Sequence, residues 1–425
     1  MTGPLTGLRV IELAGIGPGP FCAMLLADLG ADVVRIDRQD GSPLRGDPRF
    51  DLLNRGKRSI EIDLKHELGA ELVLQMVERA DVLIEGYRPG VAERLGVGPQ
   101  ACLARNPRLI YGRMTGWGQT GPLAPTAGHD INYLAISGGL HAIGRADGPP
   151  QVPLNLVGDF GGGSLYLAVG VLAALRALER SGRGQVVDAA IVDGAAHLTT
   201  LMHGLLAEGQ WQDRRGVNLL DTGAPFYDVY RTADGEYLAI GPLEPRFFAA
   251  FITRLRSAVS TNPEGEDDAD TENDARTEND MSTGNTGNDT NTENDTNTGN
   301  DGWPAQPDRA RWPVLRRRFA EAFAGRPRAE WLAVFEGSDA CVAPVLSLRE
   351  AAGHPHLAAR GTFIEQDGIV QPAPAPRFSD TPAEIDSPPA RPGAHTRAIL
   401  TDWGIEQPDH LLAAGVARQS EPASH

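Results

Sequence analysis

Apolar and polar positions along the first half of the chain alternate between short dense runs and longer periodic stretches. Leu8 to Leu13, Ala31 to Ile36, Arg58 to Leu64, Asp81 to Glu85, Leu109 to Met114 and Gln185 to Ala190 are β-prone runs of strand length. Between them, apolar residues recur at helical spacing up to about Leu29, over His66 to Arg79, Ser164 to Arg180 and Val192 to Trp211. Strands alternating with helices in this way make βαβ units. The pattern predicts an α/β fold with a Rossmann-like, mainly parallel sheet, whose ligands bind at the carboxyl ends of the strands.

The second half changes character. Ala224 to Ile240 reads as a hairpin, with Tyr227 to Thr232 and Glu236 to Ile240 on either side of Ala233-Asp234-Gly235. Amphipathic helices are expected at Arg309 to Phe323 and Pro327 to Phe335, and the proline-rich stretch Pro372 to Pro392 leads back. With 425 residues, the chain exceeds one ordinary core. The expected organisation is a large Rossmann-like domain over 1–192, a helical linker over 193–223, a smaller α+β domain over 224–345, and a return segment over 346–425 packing on the large domain. The last dozen residues are expected to fray.

Charge alters that picture in one place. The formal charge is −17, but thirteen acidic residues between Thr261 and Asp301, against Arg276 alone, carry −12 of it and leave −5 for the rest. Thr-Glu-Asn-Asp and Thr-Gly-Asn-Asp units begin at Thr271, Thr277, Thr286, Thr292 and Thr298. Nothing in this segment buries enough apolar surface to offset its ordering entropy, so 261–301 is expected to be a disordered insert in a surface loop. Its acidic residues do not follow a calcium-loop pattern.

The chain lacks a basic stripe for nucleic acid. Cys22, Cys102 and Cys341 are far apart, which argues against a disulfide framework and a metal site and for a reducing compartment. The start of the chain has no signal-peptide pattern, and the cytoplasm is the expected location. The longest apolar run, Leu165 to Leu178, contains Arg176 and is expected to be a buried helix too short to span a bilayer.

Candidate chemistry sits in two glycine-rich stretches. Gly128-His129-Asp130-Ile131-Asn132-Tyr133 and Gly158-Asp159-Phe160-Gly161-Gly162-Gly163 each place an ionisable side chain beside glycine, where backbone approaches a ligand closely. A histidine and a carboxylate facing one carbon atom make a two-base proton shuttle at neutral pH. The helix after the triple glycine aims its amides back towards Asp159, which would lower that carboxyl's pKa, whereas burial would raise it. A nucleotide fingerprint is broken in the first loop, Gly15-Ile16-Gly17-Pro18-Gly19-Pro20, where Pro20 replaces the third glycine. Cations follow several strands: Arg38, Lys57, Arg58, Lys65, Arg88 and Arg94.

Both stretches, together with Arg113 to Pro122, resemble the α-methylacyl-CoA racemases of the family III CoA-transferase superfamily. The likeness continues through Asp221 to Tyr227 and Glu244-Pro245 to Thr401-Asp402-Trp403, omitting the acidic insert. The resemblance implies two domains in an interlocked homodimer. It implies a 2-methylacyl-CoA substrate whose R and S epimers interconvert through an enolate, with His129 and Asp159 as the bases. Glu244 would orient His129, and Asn155 and Tyr227 would position Asp159. Arg38, Lys65, Arg88, Arg94 and the Gly86-Tyr87 turn would border CoA, and Gly128, Asp130, Tyr133, Gly158 and Gly161 would line the site. CoA is part of the substrate, and no cofactor or metal is implied. Two rival readings remain: a CoA-transferase with Asp159 as nucleophile, and an inactive CoA-binding scaffold.

Overall fold

The computed structural model describes residues 2–39, 46–260 and 303–421. The acidic insert lies outside them. The chain forms two compact units, one of Met1–Ile143, Gly148–Asp213 and Leu348–His425, the other of Gly144–Asp147 and Arg214–Ser347.

The first unit is built on β1 (Arg9–Leu13), β2 (Asp32–Asp37), β3 (Lys57–Ile62), β4 (Val82–Glu85), β5 (Ile110–Thr115) and β6 (Gln185–Ala190). These pair in parallel in the order β3-β2-β1-β4-β5-β6. Order reverses beside β1, and the crevice at such a switch point is where open α/β sheets bind ligands. Successive residues serve opposite faces. Ile11, Val34, Ile60 and Leu83 pack with α2 (Gly69–Val77), whereas Val10, Val33 and Val82 pack with α1 (Pro18–Asp28). Burial on both faces explains why these strands read as nearly continuous apolar runs.

Further helices are α3 (Val91–Arg94), α4 (Pro99–Arg105), α5 (Asp130–Ile136), α6 (Gly139–Ala142), α7 (Leu165–Ser181), α8 (Ile191–Leu198) and α9 (Thr200–Ala207). The single helix expected over Val192 to Trp211 is thus two, broken at Thr199. Helix α7 also differs from expectation. A π-helical segment, Leu156–Ser164, runs directly into it and makes a 26-residue helix containing an 18-residue window of mean hydropathy 1.5, long and apolar enough to cross a membrane on those two measures. Only one face is buried, with Leu167, Val171, Ala174 and Leu178 packed on the sheet. On the other face Leu165, Val169 and Leu172 stand 47%, 67% and 38% exposed. Packing on the sheet identifies α7 as a covering helix of the α/β layer.

The end of the chain is docked as far as it is described. Ile399, Leu400 and Trp403 enter the first core, the Trp403 indole N–H donates to Asp32, and Ala417–Arg418 pairs antiparallel with β3. Fraying of the last dozen residues therefore fails for Val416 and Ala417, which are fully buried, because apolar contact and a sheet edge hold them.

The second unit has the hairpin β7 (Asp228–Arg231) and β8 (Tyr237–Ile240), joined by β9 (Val342–Pro344) on the outer side of β8. Gly235 in the turn has φ +84°, a conformation glycine adopts without strain. Helices α10 (Pro245–Ser260), α11 (Trp312–Ala324) and α12 (Arg328–Phe335) cover it, α10 being an element the sequence reading lacks. Its core is aromatic: Phe251 stacks on Phe335 at 5.5 Å and meets Phe319 edge-on at 5.2 Å.

Candidate active site

The loops after β1, β4 and β5 and the starts of α5 and the π-helical segment enclose a cleft of about 590 Å³. His129, Asn155 and Asp159 line it, with Gly86, Tyr87, Arg88, Gly128 and Tyr133 among the other walls. A neighbouring cavity of about 260 Å³ shares Gly86, Tyr87 and Met114 and extends to Arg38. The pair of cavities places a cation-bearing end beside the His129 and Asp159 end.

His129 is the N-cap of α5, in extended conformation, and its N–H donates to Asn132 Oδ1 at 3.0 Å. The first intrahelical bond runs from the Asn132 amide at 2.8 Å, so the Asp130 and Ile131 amides precede the ladder. The Tyr133 ring fills the space beside two glycines. A Cβ at Gly116 would lie 2.0 Å from it and one at Gly128 2.7 Å, while the phenol donates to the Gly128 carbonyl. Gly128 is glycine to accommodate this ring.

Asp159 lies in the π-helical turn, where Phe160 N–H reaches back five residues to Asn155 O at 3.2 Å. Such widened turns are rare and concentrate at functional sites. Ser164 Oγ ties the segment down, its one proton shared between Pro18 O at 2.7 Å and Asp159 O at 3.1 Å. This corrects one expectation. The glycines after Asp159 are helix interior, so their amides are not an open N-terminus aimed back at Asp159. Gly162 is instead where α8 crosses, a Cβ there falling 2.6 Å from Ala195 N.

Burial pushes the Asp159 carboxyl up to about 6, the nearby Asp130 charge adds to this, and the Asn155 side-chain hydrogen bond and His129 oppose it. Burial is thus the largest effect on this carboxyl. A carboxylate so tuned exchanges protons near neutrality. Burial and Asp159 also raise the Tyr133 phenol.

Several expected ligand contacts take other places. Asp130 is buried and lies outside the cleft lining, with Oδ1 accepting the Asp159 N–H at 2.6 Å. Gly158 leaves room for that carboxylate, because a Cβ there would stand 2.3 Å from Asp130 Oδ1. Gly161 packs towards Leu198. Lys65 and Arg94 are exposed and line neither cavity, whereas Arg88 lines the cleft and Arg38 lies over the Tyr87 ring at 5.8 Å. Lys57 is fully buried, donating to Glu12 at 2.6 Å, and Arg58 pairs with Asp32. Asp37, the residue a nucleotide-binding fold would place on a ribose, accepts from Arg35 and Ser59. Tyr227 and Glu244 belong to the second unit, both exposed, Glu244 immediately before α10.

The sequence reading missed Glu85. This fully buried carboxylate ends β4, accepts the Tyr87 N–H at 2.6 Å and the Arg113 Nε–H at 3.0 Å, and thereby fixes the turn that lines both cavities. Burial pushes its carboxyl up to about 7 against those two donors. The available signal was a carboxylate closing an otherwise apolar strand.

Residues 5–396 match the family model for CoA-transferase family III. The chain belongs to that family. It is 42% identical to the mouse alpha-methylacyl-CoA racemase over 410 residues, 96% of this chain and 95% of that one. Identity to the human alpha-methylacyl-CoA racemase is also 42%, covering 95% and 94%. The crystal structure of a CAIB/BAIF family protein from Brucella suis superposes with a TM-score of 0.74 at 26% identity, covering 95% of this chain and all of that one. The mostly parallel sheet in a mixed α/β architecture is what the alternating pattern predicts, and the family III fold is what the resemblance implies.

Proposed function

We propose that this chain is a cofactor-independent isomerase that interconverts (R)- and (S)-2-methylacyl-CoA thioesters by 1,1-proton transfer. The carrying observation is that His129 and Asp159 line one cleft, with the Asp159 carboxyl tuned to about 6. Full-length likeness to two alpha-methylacyl-CoA racemases supports the same reading. One base takes the α-proton, and the C–H electron pair moves into the thioester, forming the enolate. The other base, protonated, returns a proton to the opposite face. The thioester activates its own α-proton, so this step needs no redox group.

Arg38 and Arg88 are the cations proposed to hold the CoA phosphates. Asn155 and Tyr227 are proposed to position Asp159, and Glu244 to hold His129 in one tautomer. The functional unit is proposed to be an interlocked homodimer, working in the cytoplasm. The apolar face of α7, with exposed Leu198 and Leu201 on the next helices, supports a partner copy there. Val169→Asp is then expected to convert a dimer to monomers in analytical ultracentrifugation; a wild type monomeric at micromolar concentration refutes the assignment.

Solvent deuterium incorporation at the α-carbon of each pure epimer, followed by NMR, tests the chemistry. Exchange with inversion from either epimer is expected. Absence of exchange, with CoA passing to an added carboxylate, would instead make Asp159 the nucleophile of a transferase through an aspartyl thioester.

A further inference from the structure

We propose that the side chain of Asp130 is a positioning residue for Asp159, holding its backbone by a charged acceptor and keeping a second negative charge beside its carboxyl. Three observations converge on it. Asp130 Oδ1 accepts the Asp159 N–H at 2.6 Å, the length of a strong charge-assisted bond, and this bond ties the start of α5 to the π-helical turn. Asp130 is only 7% exposed, and its Oδ2 is buried with no hydrogen-bond partner among the described residues. Leaving a buried oxygen of an ionised carboxylate unpaired costs more than leaving the neutral amide group of an Asn there would. Gly158, the third observation, is the residue whose Cβ would displace that carboxylate.

The unpaired oxygen has a use if its charge acts on Asp159. Two carboxylates close together in a half-buried site resist double ionisation, so a charge held on Asp130 keeps Asp159 protonated to higher pH. The groups facing Asp159 are His129, Asp130 and Tyr133 on α5 and Asn155 on its own segment, with Arg88 across the cleft acting on Tyr133. The loop after β1, Ala14 to Pro18, brings no titratable side chain, and a Cβ at its Gly17 would lie 3.3 Å from Asp159 Oδ2. Asp130 is the one carboxylate in this set besides Asp159 itself. Asp130 thereby lets a carboxyl serve as acid and as base near neutral pH. This role extends the racemase reading, but the bond and the charge effect exist whatever reaction the site performs.

The test uses Asp130→Asn, which keeps an oxygen to accept the Asp159 N–H and removes the charge, beside Asp130→Ala, which removes both. The Asp159 carboxyl is followed directly by NMR of protein labelled with ¹³C in aspartate carboxyls, with Asp159→Asn identifying its signal. In Asp130→Asn the midpoint is expected to fall by about one pH unit, because the charge is lost while burial remains. In that variant the acid limb of kcat/KM for α-proton exchange moves down by the same amount. Asp130→Ala is expected to shift the midpoint and also to lower kcat by more than tenfold, as the turn loses its tether. An unchanged Asp159 midpoint in a folded Asp130→Asn protein overturns the proposal, leaving Asp130 as packing. Because the titration is read without turnover, it stands even if the wild type epimerises nothing.

Discussion

Replacing Asp159 by Asn is expected to lower epimerisation in both directions by about 10³-fold, the range a positioned acid–base group supplies. Inversion requires both bases, but exchange requires one. Asp159→Asn therefore keeps deuterium exchange with retention from the epimer whose proton faces His129, and loses it from the other. His129→Ala shows the mirror pattern. Starting separately from each pure epimer and reading both isotope content and configuration by NMR distinguishes them. Loss of exchange from the same epimer in both variants would remove the two-base assignment. In the wild type, the direction in which Asp159 takes the proton weakens as pH falls through about 6, because the base must be ionised.

The same carboxyl has a stability consequence of known sign. Its folded pKa is raised from 3.8 to about 6. Stability is thus fully present below the ordinary value and lost as pH rises through about 6. Asp159→Asn escapes that loss, and at pH 7.5 it is expected to be more stable than wild type by about 1–2 kcal/mol. A variant that is inactive yet melts higher separates the catalytic role from a folding defect.

Gly194→Ala is expected to be the most damaging methyl group in the first unit. A Cβ there would lie 1.8 Å from Gly162 O and 2.7 Å from its carbon, backbone against backbone, where α8 crosses the π-helical segment. No rotamer relieves such a contact, so the two helices must separate. The separation is expected to cost about 3 kcal/mol. Scanning calorimetry should show a Tm lower by about 6–12 °C, with activity lost at temperatures where the variant is still folded, because Asp159 rides on the displaced segment. Gly353→Ala is the control, since a Cβ there meets nothing within 4 Å. Equal melting temperatures for Gly194→Ala and wild type would show that the crossing yields easily.

The parts of this molecule legible in the sequence are those written in local pattern. Apolar runs of strand length between helical stretches gave the parallel sheet within a residue or two, because strands buried on both faces admit few polar residues. Turn chemistry at Ala233-Asp234-Gly235 located the β7–β8 hairpin. His129 and Asp159 were identifiable as ionisable groups beside glycine, and the string of family-like segments joined them into one site.

Contacts between residues far apart in the chain belong to the tertiary structure. A π-helical turn leaves no periodicity of its own to read, so Asp159 was expected ahead of a helix and is found within one. The single exposed face of α7 escaped notice because composition does not say which side the sheet covers. Burial made Lys57, one of the cations noted beside the strands, the partner of Glu12, and made Glu85 the anchor of the Tyr87 turn. Asp130 sits beside His129 in every reading of the sequence. Only the fold sets its carboxylate against the Asp159 amide, because that distance depends on how α5 packs against a segment almost thirty residues later. The sequence by itself determined which groups could do the chemistry; the packing of the first unit decided which of them face the cleft, and at what pH Asp159 gives up its proton.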